Sequence, residues 1–511
     1  MLADFPFLSI LTLAPLVGAV AVACIPRSRG ALAKTVALGW SLAVLVLSIV
    51  MWIAYQVGGD RLQFRESYAW IPTWDARFTF AADGIALVML MLIAVLVPVV
   101  ILASWHDAEE SNRSVPIYFA LLLALECTMI GVFAAADVFL FYVFFEVMLV
   151  PMYFIIGSYG GPRRQYAAVK FFLYSLVGGL FMLAAVIGLW VVGGHTFDWQ
   201  TLIQADIDTT TARWLFLGFF IAFAVKAPFF PFHTWLPDAG GAAPAGAAAL
   251  LVGVLDKVGT FGILRYCLPL FPEASRWFAP TALILSVIGI IYAALLAVGQ
   301  NDLKRLVSYT SIAHFGFIGI GIFAFTTQAG TGSVLYMVNH GLATGLLFLV
   351  VGMFVARRGS ALVSDFGGAG KLLPLLAGVM FFAGLASLAL PGTAPFVSEF
   401  LVLIGTFTVH KAYAVIATAG IILAAGYVLW MVQRTTQGTL NPVLAEMPSM
   451  RKDISLREKV VVAPLILLLL LLGFYPKPVT DVINPAVQAT MQDVGTTDPG
   501  PTAVVNGKVA P

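Results

Sequence analysis

Apolar stretches of roughly 18 to 27 residues recur along nearly the whole chain, separated by short polar segments. A helix of that length crosses the roughly 30 Å of hydrocarbon in a bilayer. The pattern predicts an all-α polytopic membrane protein of about fourteen transmembrane helices. The predicted spans are 7–25, 35–57, 81–104, 115–134, 137–157, 167–192, 213–229, 243–268, 278–299, 306–326, 333–356, 372–410, 413–433 and 460–475.

The composition fits a surface that faces lipid rather than water. Hydrophobic residues make up 60% of the 511 residues and charged residues only 11%, whereas a soluble domain carries roughly 25% charged residues. The net charge of +2 predicts no nucleic-acid partner. The breaks between spans are too short for a soluble domain, and the tail 476–511, rich in Pro, Gly, Thr and Val, is predicted to be extended or partly disordered.

The basic residues predict the orientation of the chain in the membrane. Of the 28 Lys and Arg residues, seventeen fall in odd-numbered loops, nine fall in even-numbered loops and the tail, and Lys226 and Lys257 fall within spans. Loops rich in Lys and Arg stay on the cytoplasmic side. Both termini are therefore predicted to face outward.

Five ionisable residues lie inside predicted spans: Glu146, Lys226, Lys257, His314 and Glu399. A charge at the bilayer centre costs about 2.5–3.5 kcal/mol on insertion scales, so such residues are candidate functional groups. The alternative for Glu146 is a structural ion pair with a lysine of another helix. The set is more typical of a pathway for protons or other small cations.

Lys226 stands at a predicted helix break. Pro228 and Pro231 follow it in FAVKAPFFPFHTWLP, and a proline inside a helix removes a backbone donor and clashes one turn back. Carbonyls freed at that depth are tolerated only where they line a cavity or are buried in protein. We therefore predict that Lys226 carries a proton and that His233, just beyond the break, lines an entrance.

Glu399 stands at a second predicted break. The stretch 372–410 is too long for one straight span, and Pro391 and Pro395 divide it into two half-helices of one crossing. Two broken spans in corresponding positions of two halves, each with an ionisable residue, are typical of transporters built from an internal repeat.

His314 and His340 are predicted to relay protons between the lysines and the carboxylates, because histidine titrates near neutral pH. Buried structural histidines and a bis-histidine haem site are the alternatives. Glu126 and Asp137 are further candidates, near a helix interior and a helix end.

Asp256 directly precedes Lys257. Neighbouring residues on a helix point about 100° apart, so the sequence does not predict an ion pair between them. Nothing in the sequence indicates a metal cage, a nucleophile triad or a phosphate loop.

Six long motifs follow one another within residues 115–410: ADVFLFYVFFEVMLVPMYF, KAPFFPFHTWLPDA, LDKVGTFGILRY, SYTSIAHFGFIGIG, MVNHGLATGLLF and PGTAPFVSEFLVLIGTF. In this order they resemble the antiporter-like membrane subunits of respiratory complex I, and among them the subunit M family of bacterial NADH:quinone oxidoreductase. Glu399 supports that placement, since the sister subunits and the related Mrp-type Na+/H+ antiporters are expected to have lysine there.

Three positions depart from the family pattern. Gly240 stands where the family usually has histidine, Ala242 where it has an acidic residue, and Asp256 where it has leucine. We therefore expect an altered entrance and unchanged central positions.

The resemblance implies two inverted five-helix repeats, each with a broken helix, around a hydrophilic axis at the membrane midplane. It divides the chain into N-terminal helices (1–114), a first repeat (115–268), a second repeat (278–433), and a last helix with a polar tail (434–511).

The resemblance also implies proton translocation driven by redox chemistry in partner subunits. Glu146 is expected to pair with Lys226 and control its protonation, and protons are expected to pass through Lys257 and His314 toward Glu399. No cofactor is expected in this chain; FMN, iron–sulfur clusters and quinone are expected in partner subunits. Antiporter-like subunits are expected on both sides, within the lipid of the bacterial inner membrane.

Three other functions remain open. A Mrp-type cation/proton antiporter subunit would show sodium-dependent transport without redox partners. The membrane subunit of an energy-converting hydrogenase would copurify with the cofactors of that enzyme. A redox subunit that itself binds haem or quinone would show a Soret band on the isolated chain.

Overall fold

The computed structural model describes residues 5–498 together with residues 504–505 and 508–509. All fourteen predicted windows coincide with helical segments. The main helices are α1 (Phe7–Ala23), α2 (Gly30–Ala54), α3 (Gly84–Ala103), α4 (Val115–Ala134), α5 (Val138–Val147), α6 (Leu149–Tyr159), α7 (Arg164–Val192), α8 (Thr209–Lys226), α9 (Ala245–Leu270), α10 (Pro272–Val298), α11 (Leu303–Phe323), α12 (Thr327–Arg358), α13 (Pro374–Ser387), α14 (Ala394–Val409), α15 (Lys411–Thr436), α16 (Leu456–Phe474) and α17 (Lys477–Val494).

Short elements connect these helices. A hairpin of β1 (Gln63–Ile71) and β2 (Ala76–Ala82) joins α2 to α3, and a second small hairpin pairs β3 (Val504–Val505) with β4 (Lys508–Val509). The short helices are Asp107–Glu110, Trp199–Leu202, Leu236–Ala242 and Pro442–Glu446, and single tighter turns cover Arg27–Arg29, Pro72–Trp74, Val363–Asp365, Ala369–Lys371 and Pro448–Arg451.

Within the described residues, ten helices are long and apolar enough to cross a membrane, or eleven when the bent pair α16 and α17 counts as one span. The windows outside that set contain α1, α8 and the half-helices α13 and α14. Helix α8 is less apolar than the others because it carries Arg213, Lys226 and three threonines. The prediction of a helical, multi-span membrane protein is confirmed, and the count of fourteen stays a prediction.

Both predicted helix breaks are present. Helix α8 ends at Lys226, and the chain passes through an irregular segment with a cis Phe230–Pro231 bond before the short helix at Leu236. At this break the Ala224 carbonyl accepts the Phe229 N–H at 2.9 Å, and the Val225 carbonyl accepts the Trp235 indole N–H at 2.8 Å. Buried carbonyls left by a break need such partners.

The second break separates α13 from α14. The Asn339 side chain of α12 donates to the Ala394 carbonyl at 2.8 Å, at the start of α14. Helix α12 therefore holds the second half-helix in place.

Helix α9 is wider than an ordinary α-helix in two places. Residues 251–255 and 263–267 form π-helical turns, one on each side of Lys257. Such turns often occur at functional sites, and the sequence did not predict them.

The prediction of an extended or partly disordered tail is wrong for residues 477–494, which form α17 after a 69° bend; residues 499–503, 506–507 and 510–511 lie outside the described part of the chain. One face of α17 is buried, and it includes Val482, Ile483 and Val487. Ile483, Val487, Thr490 and Val494 are buried at spacings of three to four residues, as in an amphipathic helix, which the composition of the tail conceals.

Candidate functional site

The first charged pair lies where α5, α7 and α8 meet. Asp137 caps the start of α5: its carboxylate accepts the Leu140 N–H at 2.8 Å and the Arg77 N–H at 3.1 Å. Asp137 is thus the N-cap of α5. Glu146 lies near the other end of the same helix.

Glu146 fills a notch on α7. A Cβ atom added at Gly179 would stand 1.6 Å from Glu146 Oε1, so the carboxylate occupies the space that a side chain at 179 would need. In the described part of the chain, Oε1 has no hydrogen-bond partner. The carboxylate is therefore held by packing and left with an unused acceptor.

Lys226 is almost fully buried, with 1% of its surface exposed. Its Nζ lies 4.8 Å from the ring centroid of Phe145 and 5.8 Å from that of Phe171. Aromatic faces attract an ammonium group at these distances. Lys226 Nζ forms no hydrogen bond with any described residue.

Glu146 and Lys226 interact electrostatically, but they form no ion pair within 4.0 Å in the described structure. Glu146 and Lys226 are therefore near enough to influence each other and are not in direct contact. A small movement of α5 relative to α8 is enough to change their separation.

Lys257 is fully buried on α9 and has three close partners. Its Nζ lies 2.6 Å from His340 Nδ1 and 3.1 Å from Asp256 Oδ1, and it donates to the Val252 carbonyl. The sequence left the partner of Asp256 open, and the structure pairs it with Lys257, directly after the wide turn at 251–255.

A continuous set of contacts leads from Lys257 to Glu399. The His340 and His314 rings have centroids 5.2 Å apart. His314 Nδ1 lies 2.7 Å from the Tyr336 hydroxyl, which donates to Glu399 Oε2 at 2.8 Å. We call these five residues (Lys257, His340, His314, Tyr336 and Glu399) the buried relay.

The buried relay places His340 next to Lys257 and His314 further along, with Tyr336 as an additional member. Tyr336 was not among the predicted residues because tyrosine carries no charge at neutral pH. Its spacing was a usable signal, since Tyr336 lies four residues before His340 and therefore on the same face of α12.

The donors and acceptors of the relay follow from the protonation states of its two ends. Tyr336 has one hydroxyl proton, and when it donates to Glu399 the proton between Tyr336 and His314 must belong to His314 Nδ1. When the Lys257 ammonium donates to His340 Nδ1, the proton of neutral His340 is on Nε2. The Nε2 atoms of both histidines have no partner among the described residues, and one is a donor and the other an acceptor.

In the described structure no hydrogen bond joins Lys226 to the buried relay. The two helices that carry Lys226 and Lys257 nevertheless touch: a Cβ at Gly259 of α9 would stand 2.4 Å from the Phe223 carbonyl of α8. The charged pair and the relay are therefore separate groups on closely packed helices.

Two other candidates lie outside both groups. His233 packs between the rings of Phe230 and Tyr292, at centroid distances of 5.8 and 5.3 Å. Glu126 is fully buried on α4, and neither of its carboxylate oxygens has a hydrogen-bond partner among the residues described.

A cavity of about 370 Å³ opens near the loop that precedes α11. Arg163, Lys304, Arg305 and Asp238 contribute to its lining. Burial favours a higher pKa for the Asp238 carboxyl, but hydrogen bonds from Lys170 and Arg305 outweigh it and hold that pKa below its usual value. This basic cavity lies on the face that the charge pattern predicts to be cytoplasmic.

The unusual residues Gly240 and Ala242 lie at this cavity. Ala242 contributes to its lining, and a Cβ at Gly240 would stand 2.5 Å from Ser308 Oγ of α11. The small residues allow the short helix at 236–242 to approach α11 closely where a larger side chain would separate them.

A second cavity, of about 300 Å³, lies at the break between α13 and α14. Its lining is apolar apart from Glu399 and includes Leu388, Pro391 and Phe400. Glu399 Oε1 has no hydrogen-bond partner in the described part of the molecule. Glu399 therefore connects the buried relay with this cavity.

Comparison with known proteins places these groups in context. A family model described as "NADH:quinone oxidoreductase/Mrp antiporter, TM" matches residues 135–424, which include both helix breaks. The chain is 46% identical to NADH-quinone oxidoreductase subunit M of Mycobacterium tuberculosis, over 98% of this chain and 96% of that protein.

Two solved structures have the same fold. A chain of respiratory complex I from Thermus thermophilus with bound NADH is 29% identical, with a TM-score of 0.87 over 96% of this chain and 100% of that one. A chain of the Mrp complex from a Dietzia species is 21% identical, with a TM-score of 0.84 over 96% of this chain and 100% of that one.

Proposed function

The chain belongs to the NADH:quinone oxidoreductase/Mrp antiporter family of membrane proteins, and we propose that it is the proton-translocating membrane-arm subunit of an NADH:quinone oxidoreductase. The observation that carries the proposal is the buried relay, a set of buried titratable side chains joined by hydrogen bonds except between His340 and His314, whose rings are neighbours. Titratable residues inside a membrane protein that face the protein interior are typical of proton pathways.

In this function Lys257 passes a proton to His340 Nδ1, 2.6 Å away. The proton crosses from the Nε2 side of His340 to His314, and Tyr336 transmits it to Glu399. When Glu399 becomes protonated it can donate to Tyr336, which then donates to His314. The direction of the hydrogen bonds in this part of the relay thus depends on the protonation state of Glu399.

Glu146 and Lys226 act before the relay in this proposal. A carboxylate close to the lysine favours the ammonium form, and a more distant one favours release of the proton. Since the two groups are not in direct contact, movement of α5 against α8 controls the proton on Lys226. Several coupled groups then titrate as a set rather than singly.

The proposal includes the arrangement in the membrane. The chain crosses the bilayer about fourteen times, with residues 115–268 and 278–433 as inverted repeats and both termini on the periplasmic side of the bacterial inner membrane. Hydride and electron transfer take place on FMN, iron–sulfur clusters and quinone in partner subunits, and antiporter-like subunits flank this chain.

A Mrp-type cation/proton antiporter subunit is the second candidate. The fold similarity to the Mrp complex chain and the shared family model favour it. Glu399 at the second break and the identity to subunit M over nearly the whole chain favour the complex I function.

Copurification separates these two candidates. A tagged chain is extracted from native membranes in mild detergent, and NADH oxidation and the flavin and iron–sulfur spectra of the particle are measured. We expect all three with the chain. Migration with other hydrophobic subunits, without a redox cofactor and with sodium-dependent transport, would establish the antiporter function instead.

The relay itself is tested in the assembled enzyme with Lys257→Met. We expect NADH-driven proton translocation in vesicles to be lost, because the first proton carrier of the relay is missing. Retention of translocation by assembled Lys257→Met enzyme contradicts the proposed pathway.

A further inference from the structure

Asp256 and Lys257 form an ion pair between neighbours in the sequence. Both side chains are completely buried, and Asp256 Oδ1 lies 3.1 Å from Lys257 Nζ. Among the described residues, neither Asp256 oxygen forms a hydrogen bond, so its contact with Lys257 is an ion pair of close charges. Lys257 is therefore the partner that compensates the Asp256 charge.

The backbone of α9 makes this contact possible. The π-helical turn over residues 251–255 ends directly before Asp256. Lys257 Nζ donates to the Val252 carbonyl, so the lysine side chain runs back along its own helix. That course brings Nζ beside the carboxylate of the preceding residue.

Lys257 Nζ makes two hydrogen bonds and one ion pair. The partners are the Val252 carbonyl, His340 Nδ1 and the Asp256 carboxylate. A buried ammonium without a counter-ion is strongly destabilised, whereas the carboxylate and the ammonium together have no net charge.

We propose that Asp256 is the counter-ion of Lys257 and a positioning residue of the proton pathway. It stabilises the lysine while the lysine holds its proton, and it keeps Nζ directed at His340. This inference rests on the proposed function of the relay.

The pair also suits the transfer step. When the proton moves, an N–H bond of Lys257 breaks and an N–H bond of His340 forms, so a carboxylate–ammonium site becomes a carboxylate–imidazolium site. The net charge beside Asp256 does not change, and the positive charge moves by about the 2.6 Å between the two nitrogens. Asp256 therefore reduces the cost of the intermediate as well as that of the starting state.

The two carboxylate–lysine pairs of the molecule differ in what can open them. Glu146 and Lys226 come from different helices, so helix movement changes their separation. Asp256 and Lys257 are consecutive residues, so their pair moves as one unit with α9. The second pair is a fixed counter-charge rather than a switch.

The test uses the assembled enzyme in native membrane vesicles. NADH-driven proton translocation is measured against pH for the wild type, Asp256→Asn and Asp256→Glu. The other titratable groups on the helices around this site are His340, His314, Lys226 and Glu126, and they are the same in all these variants.

We expect Asp256→Asn, which keeps the shape and removes the charge, to lower translocation at least about tenfold at neutral pH. We also expect the pH of half-maximal translocation to change by about one unit or more, because a charge in contact shifts a titration by that much. Asp256→Glu restores most of the rate. Asp206→Asn, which removes a charge from an exposed loop, gives the wild-type profile.

Superimposable profiles for Asp256→Asn and the wild type, with Lys257→Met inactive, overturn the role of Asp256 and leave the proposed function intact. Full activity in Lys257→Met instead overturns the proposed function.

Poor assembly of Asp256→Asn is resolved by the double variant Asp256→Asn, Lys257→Met. A counter-ion role predicts that the double variant assembles like Lys257→Met alone. Assembly no better than that of Asp256→Asn shows that Asp256 acts through other contacts and overturns the inference.

Discussion

One hydroxyl group, that of Tyr336, joins His314 to Glu399 in the buried relay. Tyr336→Phe keeps the ring and removes both hydrogen bonds. We expect at least about a tenfold fall in NADH-driven proton translocation, since a lost hydrogen bond to a buried charged partner costs about 1.5–3 kcal/mol and each 1.36 kcal/mol on a barrier is about tenfold in rate.

Tyr427→Phe is the matched control for this prediction. Tyr427 is equally buried, and its hydroxyl makes no hydrogen bond to a described residue. Its variant should translocate protons at close to the wild-type rate. Equal rates for both variants would mean that protons reach Glu399 without Tyr336.

Gly179 determines the position of Glu146. Gly179→Ala puts a methyl group 1.6 Å from the present place of Glu146 Oε1, so the carboxylate must move away from its notch. We expect a severalfold loss of proton translocation with normal assembly. Gly378→Ala on α13, where a Cβ meets nothing within 4 Å, should leave translocation unchanged, and an unchanged rate in Gly179→Ala would show that the position of Glu146 does not matter.

The candidate residues could be identified from the sequence because a charge inside an apolar span is costly and conspicuous. Their partners could not. Tyr336 is uncharged, and the contact of Lys257 with His340 joins residues far apart in the chain. The partner of Asp256 could not be predicted, because neighbours on an ordinary helix point about 100° apart and the π-helical turn of α9 leaves no mark in the sequence.

At the scale of elements, the proline-marked breaks after α8 and between α13 and α14 were predictable because proline removes a backbone donor whatever surrounds it. The π-helical turns of α9 have no comparable residue signature. Helix α17 was missed because the composition of the tail was considered without its periodicity. The proline residues alone were sufficient to predict the two helix breaks. The π-helical turns of α9 and the position of α17 depend on tertiary packing.

The packing of α17 is tested with Val487→Asp. Val487 is fully buried and lies against Gly330 of α12. A buried carboxylate without a partner destabilises a fold by about 3 kcal/mol or more. We expect a clear loss of thermal stability of the purified complex in detergent.

Gln488→Asp introduces the same charge on the exposed side of α17 and should melt like the wild type. Equal melting of both variants would mean that α17 does not pack as described.

At the scale of the whole molecule, the distribution of basic residues predicts which face lies in the cytoplasm. A chain with its native cysteines replaced carries one new cysteine, either Thr439→Cys between α15 and α16 or Asp60→Cys between α2 and β1. We expect a membrane-impermeant thiol reagent added to intact cells to label Asp60→Cys only. Labelling of Thr439→Cys from outside would reverse the orientation.

Helix α12 passes through the centre of this arrangement and holds both ends of the relay. His340 Nδ1 is in hydrogen-bond contact with Lys257 Nζ. Tyr336, one turn earlier on α12, donates a hydrogen bond to Glu399. Asn339, between them, is bonded to the start of α14. These three side chains belong to one helix, so a rotation of α12 about its axis would change all of their contacts together. The contacts of His340, Tyr336 and Asn339 are therefore coupled through the backbone of α12.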